Sequence, residues 1–322
     1  MLKNSYYLIF LLFALPSEAN SQDSDPGPGY QMVMMNNPAF SGAEGNGVLR
    51  LSYLNFLPGN NYNLHSVYFS YDSYFPVLHG GAGFYISDEY SGGIINDIRS
   101  GFSYAYFLQA GDDLFINAGL SGSVFHRGLN FSGAILPDQI DPLGGVSLPP
   151  GEILSATSHT GFDIGAGFVF ITGRISGGIS VNHLAEPDYS SSGFPDERLK
   201  RKFLFHFAGD YFLGENNNLI IRPLGHIGIQ GGLVSGSAGA VLESKVLSIN
   251  AILLGNNDKQ INIQTGFTIG TGKIRFFYNY RFNIVSANNL MPLSLFHQTG
   301  ITLSLNNVDK RNIIKTISFP KL

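Results

Sequence analysis

From Val48 onward the chain alternates apolar and polar positions with a period of two, in runs of about ten residues broken by turn residues. The clearest case is Gln260 to Phe282. Ile261, Ile263, Thr265, Phe267 and Ile269 fall on one face, against Asn262, Gln264, Gly266 and Thr268 on the other. After Gly270-Thr271-Gly272 the alternation resumes, with Ile274, Phe276, Tyr278, Tyr280 and Phe282 against Arg275, Phe277, Asn279 and Arg281. Two such runs joined by a glycine turn predict a β-hairpin. Its apolar face needs a second sheet to cover it in water, or lipid.

Similar runs fall near 48–57, 64–73, 80–88, 95–108, 113–126, 159–171, 174–183, 202–213, 218–228, 232–243, 246–254, 260–270, 273–283 and 297–305. That is about fourteen strands, and an even number brings both ends of an up-and-down barrel to one side. The connections sort by parity. Gly111-Asp112, Thr172-Gly173, Gly214 to Asn217, Ser244-Lys245 and Thr271-Gly272 are tight turns after even-numbered runs. The long connections, Arg127–Ser158, Leu184–Arg201 and Asn283–Phe296, follow odd-numbered ones. This sorting favours an all-β transmembrane, up-and-down antiparallel β-barrel over a soluble β-sandwich, with short periplasmic turns and longer extracellular loops. The expected organisation is a signal peptide over 1–21, an N-terminal segment over 22–47 at a barrel end, the barrel over 48–305 and a tail over 306–322.

The alternation also assigns faces. Leu49, Leu51, Tyr53, Val67, Phe69, Tyr71, Phe162, Ile164, Ala166, Phe168, Phe170, Phe203, Phe205 and Phe207 are expected to face lipid. Arg50, Asp72, Arg99, Asp163, His206, Asp210, Arg222, Arg275 and Arg281 occupy the opposite positions. Charges at strand centres are costly toward lipid and tolerated in a lumen. Both signs occur, so a paired polar network is expected rather than a strongly ion-selective pore.

Composition agrees with a non-aqueous outer surface. Charged residues are 13% of the chain, against roughly 25% in soluble proteins. Glycine (40), Phe (26) and Tyr (16) are abundant, and Trp and Cys are absent. No disulfide, zinc–cysteine or thiol chemistry is possible, and no basic excess supports nucleic-acid binding at a net charge of −4. Lys3 followed by the apolar stretch Leu8 to Leu15 reads as a secretory signal, too short to span a bilayer. Cleavage is expected at Ser17-Glu18-Ala19 or at Ala19-Asn20-Ser21, with preference for the second. Asp23 to Gly47, rich in Gly, Pro and Asn, reads either as a segment packed against a barrel end or a partner, or as a loosely ordered leader.

No catalytic motif is present. G-x-S-x-G, H-E-x-x-H and the P-loop are all missing. His206 and Asp210 share a strand face, but four residues of strand separate them by roughly 13 Å, too far for a dyad. Gly81-Ala82-Gly83 and Gly270-Thr271-Gly272 lack the helix that a dinucleotide site needs, and mark close packing or turns. Asp138, Asp141 and Glu152 could ligate Ca²⁺, but without EF-hand spacing they read first as solvated loop acids. No cofactor is expected.

A set of short motifs, in order along the chain, resembles the PorP/SprF family of type IX secretion system outer-membrane proteins of Bacteroidetes. Gln31-Met32 followed by Asn37-Pro38-Ala39-Phe40-Ser41-Gly42 is similar to the family's N-terminal entry. Ser70-Tyr71-Asp72, then Gly80-Gly81-Ala82-Gly83 with Asp88, and Tyr104-Ala105-Tyr106-Phe107-Leu108 resemble its early strands. Asp138-Gln139-Ile140-Asp141 resembles its D-x-I-D loop, and Ser180 to Leu184 with His183, Glu186 and Pro187 its S-x-x-H-L-x-x-P pattern, with Lys200-Arg201-Lys202 before the next strand. The resemblance spans about Gln22 to Leu305. Two departures stand at the C-terminal end: Gln298 follows His297 where the family carries an acid, and Asn306 to Leu322 continues past the last strand.

The resemblance implies a non-enzymatic partner protein in the Gram-negative outer membrane, with both termini periplasmic. Its implied role is secretion or surface attachment of a large adhesin, including gliding adhesins, with type IX and periplasmic peptidoglycan-associated components as partners. The long loops Arg127–Ser158 and Leu184–Arg201 are the expected contact with the secreted protein. The alternative is an outer-membrane channel for small or hydrophobic solutes; an outer-membrane hydrolase is a distant third.

Overall fold

The computed structural model describes residues 30–58, 64–131, 139–141, 145–146, 156–189, 198–213, 219–285 and 296–305. The expected signal peptide, the C-terminal tail, Asp138, Glu152 and the Gly214 to Asn217 turn lie outside the described residues. The strands are β1 (Val48–Phe56), β2 (Leu64–Phe75), β3 (Gly80–Ser91), β4 (Ile95–Gln109), β5 (Leu114–Leu129), β6 (Ile140–Asp141), β7 (Gly145–Val146), β8 (Thr157–Thr172) and β9 (Ile175–Asn182). They continue with β10 (Lys202–Gly209), β11 (Tyr211–Leu213), β12 (Leu219–Gln230), β13 (Leu233–Glu243), β14 (Leu247–Asn256), β15 (Ile261–Thr271), β16 (Ile274–Val285) and β17 (Phe296–Ser304).

All wall pairings are antiparallel; they join successive wall strands, and the pairing of the first with the last closes the circle. β1 pairs with β17 along its whole length, Val48 to Ser304 and Phe56 to Phe296. β10 and β11 are two halves of one wall strand, both paired with β12. The register is the same on either side of their break, and would set Gly209 opposite Pro223, which has no N–H to donate. The result is a closed fourteen-stranded antiparallel barrel. The short β6–β7 hairpin stands apart within the Arg127–Ser158 connection.

The outer wall carries the apolar stripe. Phe102 and Phe162 are each 74% exposed, and Leu51, Val67, Phe168, Phe170, Phe203, Phe205 and Phe207 point the same way. Ile274 and Phe276 of the 260–282 hairpin are on this face, while Gln264, Phe277 and Asn279 are buried inside. A closed wall leaves no strand edge, and lipid solvates its apolar exterior. The two ends of the barrel meet at the tight-turn side, where the Leu305 amide donates to the Gly47 carbonyl at 2.8 Å.

The core sits in the lumen. The described residues before β1, 30–47, run inside, in the half of the barrel next to the tight turns. Helix α1 (Val33–Asn36) and a 3₁₀ turn (Pro38–Phe40) carry Val33, Met34, Ala39 and Phe40 into a cluster with Leu224, Val241, Ile252 and Leu254 from the wall. This segment is a plug.

Candidate functional site

The plug lies close against the wall. One inward position on each of β3, β5 and β8 beneath it is a glycine. A Cβ on Gly81 would lie 1.9 Å from the Ser41 carbonyl oxygen, on Gly119 2.3 Å from the Ala39 nitrogen, and on Gly167 2.1 Å from Asn37 Oδ1. Such distances exclude any side chain, so these glycines are the seat. Asn37 caps the 3₁₀ turn by accepting from the Ala39 amide at 3.0 Å. Its Nδ2 donates to the Phe168 carbonyl at 3.2 Å and lies 3.1 Å from His206 Nε2. Pro38 opens the turn, where a missing N–H costs nothing. Gly42 takes φ +68°, and its amide donates to Asp72 Oδ2 at 2.8 Å. Ser41 and Ser103 hydroxyls meet at 2.6 Å, and Ser180 Oγ donates to the Asn36 carbonyl at 2.5 Å.

The inward charges form separate clusters rather than one continuous network. Arg50 of β1 bridges Asp72 of β2 and Glu44 of the plug, and Arg275 reaches Glu44 at 3.6 Å. This latch ties plug to wall. Farther toward the long loops, Asp163 accepts from His183 Nδ1 at 2.6 Å and lies 3.7 Å from Arg99. Arg99 also bonds the Tyr189 hydroxyl. On the opposite wall Arg222 holds Asp210 at 2.6 Å and Glu243 at 3.0 Å. Arg281 donates to Gln264 at 2.9 Å and stacks on Phe296 at 4.1 Å. His206 packs on the Phe40 ring at 4.7 Å, while Asp210 pairs with Arg222. The two form no dyad.

A model of the type IX secretion system membrane protein PorP/SprF matches residues 30–302. The chain belongs to this family. No curated protein sequence matches it. Among solved structures, the CymD monoaromatic hydrocarbon channel is 12% identical, with a TM-score of 0.49 over 88% of this chain and 94% of that one. The Pseudomonas putida toluene transporter TodX is 12% identical, at 0.48 over 90% and 94%. Acinetobacter baumannii Omp33 is 8% identical, at 0.46 over 82% and 100%. At these identities the likeness concerns the barrel alone. This PorP/SprF chain is therefore an outer-membrane β-barrel of the secretion system.

The family motif residues fall in different places. Asn37, Pro38, Ala39, Gly42 and Asp72 are buried at the plug seat, and Ser70 is buried on the same strand as Asp72. Tyr71 points outward and packs near Phe84, ring centroids 6.2 Å apart. His183 is buried on Asp163, and the Pro187 carbonyl accepts from the Leu199 amide at 3.0 Å. Asp141 lies in β6, outside the wall sheet. Among the described residues no group of three His, Asp or Glu side chains could hold a metal.

Several residues that build this interior carry no periodic signal. Glu44 sits in the irregular segment before β1. Tyr189 and Leu199 belong to the Leu184–Arg201 connection, yet both are buried with Phe125 inside the barrel. That connection folds inward at both of its described ends. The glycine seat did leave a trace, since Gly81, Gly119 and Gly167 all occupy inward positions of alternating runs. Between plug and the Asp163 cluster remains a cavity of about 60 Å³, lined by Met35, Ser87, Glu89, Asp97, Arg99 and Ser123 among others. It has room for about four waters.

Proposed function

We propose that this barrel is a partner protein of the secretion machinery that supports secretion or surface attachment of a large adhesin, without conducting solute itself. Family membership supplies the secretion system. The observation that supports a scaffold role is the lumen, filled by a plug seated on glycines and latched through Glu44, Arg50 and Asp72. A filled lumen counts against a channel for small or hydrophobic solutes. It also leaves the two ends of the barrel as the surfaces available to partners. The termini and tight turns face the periplasm in this reading, toward type IX and peptidoglycan-associated components. The Arg127–Ser158 connection faces the cell surface and takes the adhesin. The inward fold of Tyr189 and Leu199 makes the other long connection partly structural.

Two measurements test this. Shortening the Arg127–Ser158 connection in a barrel that still assembles should reduce display of the cognate surface protein; unchanged display would remove the loop's assigned role. An epitope inserted between Thr271 and Gly272 should be shielded in intact cells, and surface labelling there would reverse the topology.

A further inference from the structure

At the end of the barrel away from the tight turns, the outer wall of β2, β1, β17 and β16 breaks its apolar pattern. In one register row, His65 faces Asn55, Asn55 faces His297, and His297 faces Tyr280. The next row toward the barrel middle carries Tyr53 and Tyr278, both opposite Thr299. All these positions share the outward parity of Leu51 and Val67, which are 48% and 43% exposed. Asn55 is the eighth of the nine residues of β1, and a tilted strand of about 9–11 residues crosses the whole hydrocarbon layer, so the row stands at the end of the span. That is the level of headgroups rather than of acyl chains.

The hydrogen bonds give the row a direction. Tyr53 Oη lies 2.6 Å from His65 Nδ1, and Asn55 Nδ2 lies 3.3 Å from the same nitrogen and 3.2 Å from Tyr53 Oη. These contacts engage the Nδ1 atom of His65 and leave Nε2 as the ring's other polar atom. Tyr278 Oη holds His297 Nδ1 at 2.8 Å in the same manner of contact, and the Tyr280 ring packs 5.0 Å from the imidazole. Neither Nε2 meets a hydrogen-bond partner among the described residues. Two imidazole edges on a lipid-facing wall flank Asn55 with unspent polar capacity. Hydrocarbon offers no acceptor for them, and the headgroup layer does.

We propose that His65 and His297 form a binding site for the phosphate of a lipid headgroup on the outer wall. A phosphate oxygen is the strong acceptor available at that depth, and the flanking Tyr53, Tyr278 and Tyr280 rings supply the amphipathic surface of an interfacial site. The assignment of this lipid to the outer leaflet rests on the orientation proposed above; headgroup binding does not.

The probe is diphosphoryl lipid A against its dephosphorylated form, offered to the full barrel in a phosphate-free non-ionic detergent and read by native mass spectrometry. Wild-type protein should retain the diphosphoryl form at least about tenfold more than the His65→Phe/His297→Phe variant, which loses two hydrogen bonds to a charged acceptor, either of them enough for that ratio. His126→Phe removes an outward histidine outside the row, paired with Thr160 at 2.8 Å, and should retain as much as wild type. Excess inorganic phosphate should not displace the lipid. Equal retention by the double variant, equal retention of the dephosphorylated form, an equal loss in His126→Phe, or displacement by free phosphate would each overturn the proposal. Heat-modifiable migration reports assembly of each variant, and the single His65→Phe change substitutes if the pair fails to fold. The Thr271–Gly272 epitope reads orientation separately, so a wrong topology and a missing site give different results.

Discussion

Two arcs of the inner wall solve the same problem by opposite means. From β2 to β9, inward glycines leave the wall bare, and the plug fills it: Gly81 meets Ser41, Gly119 meets Ala39 and Gly167 meets Asn37. From β12 to β17 the wall fills itself. Its inward glycines are covered by neighbouring strands, Gly266 by Asn279, Gly239 by Ile252 and Gly300 by Phe277. Arg222, Gln264 and Gln298 are buried there without touching the plug backbone through any bond described above. The same residue type thus marks a docking seat on one arc and a side-chain niche on the other. What distinguishes them is whose atoms an added Cβ would meet: those of the plug on one arc, those of a neighbouring wall strand on the other.

The sharpest way to break this contrast is to fill the seat. Gly119→Val with Gly167→Val puts branched side chains where plug backbone lies, at an overpacking cost of about 1–3 kcal/mol per site. The plug should leave, and planar-bilayer recordings should show conductance steps absent from wild type. A silent bilayer with an assembled barrel would mean that the plug does not close the lumen.

Next is the latch. Asp72→Ala removes one of the two carboxylates that hold the buried Arg50 cation and should cost about 3 kcal/mol, the lower end for breaking a buried pair. Thermal unfolding in detergent reads it. Arg50→Met added to Asp72→Ala should recover most of the loss, because the penalty comes from the stranded charge and not from the missing contact.

A smaller effect is expected within the seat. Asn37→Ala removes the cap to Ala39 and the bond to the Phe168 carbonyl, about 2 kcal/mol together. Limited proteolysis of the plug should speed up before global unfolding changes. On the self-filled arc, Ser52→Ala removes the acceptor of Gln298 Nε2 at 3.0 Å and should cost only about 1 kcal/mol. It should leave plug proteolysis as in wild type. If both changes loosen the plug equally, the arcs are not separable.

The wall was readable from the chain because strand pairing between neighbours is local. Period-2 alternation set which side of each strand meets lipid, and the parity of turn lengths set the up-and-down order. Those signals placed Arg50, Asp72, Arg99, Asp163, Arg222 and Arg275 on inward positions. They could not choose partners. Arg99 with Asp163, and Asp72 with Gly42, meet only because the circle closes and the chain before β1 turns into it. Glu44, Tyr189 and Leu199 lie in stretches without periodicity, so nothing local marked them as interior.

By itself, then, the order of residues determined a lipid-facing barrel, its strand number and its two unlike ends, since each depends on residues a few positions apart. Only the tertiary structure decided that the lumen is occupied, that its glycines on one arc form a seat, and that the segment through Asn37 to Gly42 is the occupant. Those contacts join positions tens to more than a hundred residues apart, as Asn37 with Phe168 shows. Steric fit at that range is a property of the assembled wall, and no stretch of the chain carries it alone.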